Sequence, residues 1–166
     1  MTNTKFSEIA KPRLDRFRNF FPEENDPVLM VLKAHLLSEE ILSEVIAANC
    51  IEPEALANIE IGYFLKVRLA KALASDKAAE SIWEMAEALN SLRNVLAHKL
   101  ESQNVTLKRE KFIAIIERTR KAPIEGNDDQ RLRHALQYFS GSISFLETYV
   151  KTGEIPPTWE DLNEKQ

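Results

Sequence analysis

Arg93, Asn94 and His98, with Asn90 one turn earlier, are the densest group of residues in the chain that could do chemistry. A neutral histidine near a helix end can take a proton from a ribose 2′-hydroxyl or give one to a leaving oxygen. An arginine can hold a phosphate and neutralise its growing charge, and an asparagine can orient either group. Metal-independent RNA cleavage then lacks only a second proton-transfer group. A two-fold dimer could supply one by bringing two copies of the motif together. The other common chemistries lack their residues. Three histidines and one cysteine occur without a His-x-x-x-His or Cys-x-x-Cys pair, so no metal centre is expected. A glycine-rich phosphate loop and a serine-hydrolase elbow are also missing, and no cofactor is expected.

The residues that must position this group form a helix predicted from about Lys77 to His98. At about 100° per residue, Ile82, Met85, Leu89, Leu92, Leu96 and Leu100 share one face, and Arg93 falls inside it. A cation on a core-facing stripe is costly unless a carboxylate or an anion meets it. The helix predicted from Asp26 to about Asn49 offers the counterpart. Val28, Leu32, His35, Leu42 and Ile46 share its face, with Glu39 near the middle. The two misplaced charges predict a Glu39–Arg93 ion pair between packed helices, the alternative being a bond from Glu39 to His35, four residues earlier. Arg93 and His98 diverge by about 140° on a regular helix. They meet one substrate only if the helix ends or distorts before His98, or if they serve different sites.

Further helices are predicted around this pair. Pro12 interrupts an amphipathic stretch over residues 4–21, whose Phe17, Phe20 and Phe21 read as packing or subunit-contact residues. Glu52-Pro53 begins a short turn, and Ile59 to Ala74 reads as a helix packing through Phe64, Leu65, Leu69 and Leu73, with Val67 at its margin. Lys66, Arg68 and Lys71 read as solvated charges. Trp83 is expected to be partly buried. Glu101 to Asn104 reads as a polar loop, with Thr106 capping a helix to Lys121 that turns Leu107, Phe112, Ile115 and Ile116 inward. Pro123, Gly126 and Asn127 mark a connection. The last helix, about Asp128 to Lys151, carries Leu132, Leu136, Phe139, Ile143, Leu146 and Val150 on one stripe, with His134 exposed.

These patterns predict an all-α, single-domain antiparallel helical bundle. Residues 1–25 would form an N-terminal helical segment packing on it, 26–152 the bundle, and 153–166 a tail. The lone Cys50 reads as a packed thiol and suits a reducing compartment. The start of the chain lacks the apolar stretch of a signal peptide and no membrane span is apparent, which predicts a cytoplasmic protein. A net charge of −4 argues against broad binding of duplex nucleic acid, leaving room for a local basic patch.

Arg93-Asn94-Val95-Leu96-Ala97-His98 resembles the Arg-polar-x-x-x-His signature of the HEPN superfamily. The helix order over roughly residues 26–150 is similar as well: a long early helix with an internal acidic residue, then the motif near the end of a later one. The resemblance implies a HEPN-like bundle. It also implies a homodimeric, metal-independent ribonuclease of the toxin or anti-phage kind, or a non-catalytic binding module. Arg93 and His98 would be catalytic and Asn94 the accompanying polar residue, with Asn90, Glu39 and His35 in support. RNA, or a protein such as an antitoxin, would be the partner. A weaker resemblance, to the mannitol-repressor family of helical regulators, rests on the leucine-arginine-x-x-x-x-His helix. It implies a partner-binding protein in which Glu39–Arg93 is structural.

Overall fold

A computed structural model of the chain describes Asn19, Phe21 and residues 26–97 and 102–153. The expectations for the rest of 1–25, for His98 and for the tail beyond Gly153 lie outside the described residues. Helix α1 spans Pro27–Asn49 and starts as its sequence dictates: Asp26 Oδ1 accepts from the Leu29 amide at 3.0 Å, and Pro27 fills the first turn. After a 3₁₀ turn at Pro53–Leu56 come α2, Tyr63–Ala74, and α3, Glu80–Ala97. Helix α4, Ser102–Arg120, begins before Thr106, because no glycine or proline in the expected polar loop stops it. Asn127 and Gln130 form a reciprocal capping box at the start of α5, Asp128–Thr152, and Gly153 ends that helix with a left-handed φ of 70°.

The result is an all-α bundle, with no strand among the described residues. Helix α1 packs against α5, α2 and α3, while α3 also packs along α4. Ion pairs Arg68–Glu87 and Lys71–Glu80 tie α2 antiparallel to α3, and Arg118–Glu84 ties α4 to α3. Between α1 and α2 the pairs advance together, from His35–Tyr63 to Glu39–Lys66. Phe112 and Phe139 meet edge to face in the core, beside Ile113, Ile116, Leu132, Leu136 and Ile143. None of the helices among the described residues is long and apolar enough to cross a membrane.

Two helices are rotated from their predicted faces. In α1 the inward side runs through Met30, Val31, Ala34, Ser38, Ile41 and Val45, while Val28 is exposed and Leu32 half-buried. His35, Leu42 and Ile46 stay inside, and Glu39 moves to the rim. In α2 the core takes Tyr63, Val67, Ala70 and Ala74, with Val67 fully buried. Phe64 and Leu65 remain 56% and 52% exposed, Leu73 is exposed and Leu69 half-buried. Small alanines let α2 lie close to α1, so the narrow face wins the core over the bulky one. Trp83, expected to be partly buried, lies fully in the core, as do Leu132, Leu136, Phe139, Ile143 and Leu146 of α5.

Candidate functional site

His35, on the flank of α1, stacks its ring on Tyr63 of α2 at a centroid separation of 3.9 Å. Its Nε2 lies 3.3 Å from Asn90 Oδ1 on α3. An amide oxygen only accepts, so Nε2 carries the proton and donates it. Beneath the ring, the Ser38 hydroxyl donates to the His35 carbonyl at 2.9 Å. Its proton being used, Ser38 Oγ accepts from the Tyr63 hydroxyl at 2.8 Å. One short polar network therefore fixes α1, α2 and α3 against one another. It brings together two of the three predicted supporting residues, His35 and Asn90.

The third behaves differently. Glu39 pairs with Lys66 at 3.0 Å and does not meet Arg93. The predicted Glu39–Arg93 ion pair is not formed, because the rotation of α1 carries Glu39 to the rim, where Lys66 reaches over from α2. With side chains 30% and 18% exposed, this pair contributes at most about 1 kcal/mol. The alternative, a hydrogen bond from His35 to the Glu39 carboxylate, is not made either; His35 Nε2 lies against Asn90 instead. Glu39 acts on His35 only through its charge.

Arg93 is half-buried one turn after Asn90. Among the described residues no carboxylate pairs with it. Its Nη1 donates to Asn94 Oδ1 at 3.3 Å, and its Nε is buried without a hydrogen-bond partner. Asn94 and Ala97 are exposed beside it. Arg93 and Asn94 are thus brought together, and His98, the remaining predicted catalytic residue, lies outside the described residues.

Burial pushes the His35 imidazole below its ordinary value, aided by the charges of Arg93 and Lys66, against the Asn90 hydrogen bond and the Glu39 carboxylate. The unfolded chain therefore takes up this proton first. The stability contributed by a neutral His35 is complete above about pH 6.5 and is lost as pH falls through the lower folded value. Denaturant melts should show the wild type losing stability on acidification from pH 7.5 to 5.5, with His35→Gln losing less over the same interval. Equal slopes would mean that His35 is not the group responsible. Tyr63 has the mirror effect: burial raises its hydroxyl, so its contribution fades in strong alkali.

No motif in the sequence marks Tyr63 or Ser38, and Lys66, expected as a solvated charge, is instead the ion-pair partner of Glu39. Tyr63 and Lys66, three apart on α2, interlock with His35 and Glu39, four apart on α1. Each spacing alone is commonplace, and only the pairing gives it meaning. Compared with protein-family models, with curated proteins and with solved structures, the chain has no match.

Proposed function

We propose that this chain is a HEPN-like, metal-independent endoribonuclease of the toxin or defence kind, acting in the cytoplasm as a homodimer on RNA. Arg93 holds the scissile phosphate, Asn94 orients it and His98 transfers the proton. The observation that carries the reading is the half-buried guanidinium of Arg93, which no carboxylate among the described residues neutralises. The Nη end of a guanidinium that is only half-buried can take the oxygens of a phosphate and match its charge. His35 is too enclosed to reach a substrate and serves as a positioning residue, holding Asn90 and the α3 backbone that carries Arg93. The likeness of residues 93–98 to the HEPN signature points the same way. A non-catalytic, partner-binding role of the mannitol-repressor kind draws support from the exposed apolar side chains of α2.

The test is cleavage of labelled single-stranded RNA by purified protein in the presence of EDTA. Wild type should cleave, and His98→Ala should slow cleavage by roughly 10²-fold or more. Undiminished activity in that variant would transfer the reaction to another group or to a contaminant.

A further inference from the structure

Cations in this acidic chain mostly find a carboxylate within the fold. Lys66, Arg68 and Lys71 of α2, Arg118 of α4, and Arg131 and Lys151 of α5 are all paired in this way. Lys108 and Lys111 of α4 are not: neither has an acidic partner among the described residues. Lys111 is exposed and Lys108 half-buried. Residues 98–101 alone separate α3 from α4, and the two helices pack along each other, antiparallel. The Arg118–Glu84 ion pair, far from that connection, fixes their register. Seven residues, about two turns, separate Arg118 from Lys111 on α4 and Glu84 from Ser91 on α3, so each pair shares one side of its helix. One turn further on, Lys108 comes level with Asn94, whose Oδ1 accepts from the Arg93 guanidinium. One edge of the α3–α4 seam therefore starts in a neutral pair and ends in unpaired cations beside Arg93 and Asn94.

We propose that this edge is the track on which the RNA strand lies, Lys108 and Lys111 holding the phosphates next along the strand from the one at Arg93. The inference rests on the ribonuclease reading for what Arg93 holds, and adds the residues that grip the strand beyond the reacting phosphate. Lysine suits that task, being a point charge on a long stem that follows a flexible backbone without demanding a fixed geometry. The two are about 4.5 Å apart along the helix axis, so their stems can reach separate phosphates. The unneutralised strip is also narrow, since Glu84 closes Arg118 at one end and Glu39, Glu87 and Glu80 close the cations of α2. A strip this short matches a single strand. A duplex would bring two rows of phosphates against a chain of net charge −4.

Fluorescence anisotropy of a labelled 2′-O-methyl oligoribonucleotide, which lacks the attacking hydroxyl, reads strand binding apart from cleavage. Wild type should bind it with a clear salt dependence. Lys108→Gln/Lys111→Gln should bind roughly tenfold more weakly at low salt, the slope of log affinity against log salt falling by about 0.7 for each lysine lost. Lys108→Arg/Lys111→Arg should restore both. Arg68→Gln/Lys71→Gln, which removes two cations already paired, should bind as wild type does. A wild type that does not bind the strand overturns the proposal, as does a Lys108/Lys111 glutamine variant with unchanged affinity and slope. Equal losses in the two glutamine variants overturn it too, because net charge and not the seam would then be at work. Poly-glutamate that competes as well as the strand itself would overturn it in favour of an acidic protein partner. Failure of the ribonuclease reading is a separate result: a protein that binds the strand through Lys108 and Lys111 yet cleaves no RNA keeps the track and loses the catalysis.

Discussion

Replacing Arg93 with methionine is expected to remove RNA cleavage while leaving the fold as stable as before, or more so by up to about 1 kcal/mol. The two effects separate because of what the guanidinium lacks. Its Nε is buried without a partner, and its one hydrogen bond among the described residues is the long contact to Asn94. Methionine keeps the aliphatic length of the side chain and removes the buried Nε donor that has no partner. Activity should fall by about 10³-fold or more, the scale on which an arginine stabilises a transferring phosphoryl group. Arg93→Lys should recover only part of it, since an ammonium cannot bind a phosphate through a planar fork. Cleavage assays beside thermal melts distinguish the cases. A variant that melts much earlier would assign Arg93 a structural partner, and one that still cleaves RNA would remove it from the phosphate.

Val67→Asp should cost roughly 3–5 kcal/mol for an unpaired buried charge, on top of the apolar burial lost. That is comparable with the whole stability of a small domain, about 5–15 kcal/mol. No cooperative melting transition is then expected near room temperature. Val67 has no solvent exposure and lies between Tyr63 and Ala70 on the inward side of α2. A protein that folds normally with aspartate there would put the Leu65 side of α2 in the core instead. Far-UV circular dichroism through a denaturant series distinguishes the outcomes.

Both variants probe places where periodicity and structure part. In α5 only one face is strongly apolar, and of the predicted stripe Leu132, Leu136, Phe139, Ile143 and Leu146 are buried while Val150 is half-buried. In α1 and α2 apolar residues occupy more of the circumference, so the pattern admits more than one inward direction. The bulkier stripe of α2 was the natural choice from composition. Alanine and valine took the core because they bring the α2 backbone close to α1, where the Tyr63 ring can lie on His35.

The site divides in the same way. The helical character of the chain, the Asp26 and Asn127 helix starts, and the anomaly of a cation at Arg93 are properties of short segments, set by local propensity, capping and charge against apolar surroundings. Those were legible in the residues themselves. Which carboxylate meets which cation was not. Glu39 goes to Lys66 and Arg93 keeps no acidic partner among the described residues, because that depends on how far α1 turns about its own axis. A rotation of that kind is settled by packing of three helices at once, and no single helix carries the information.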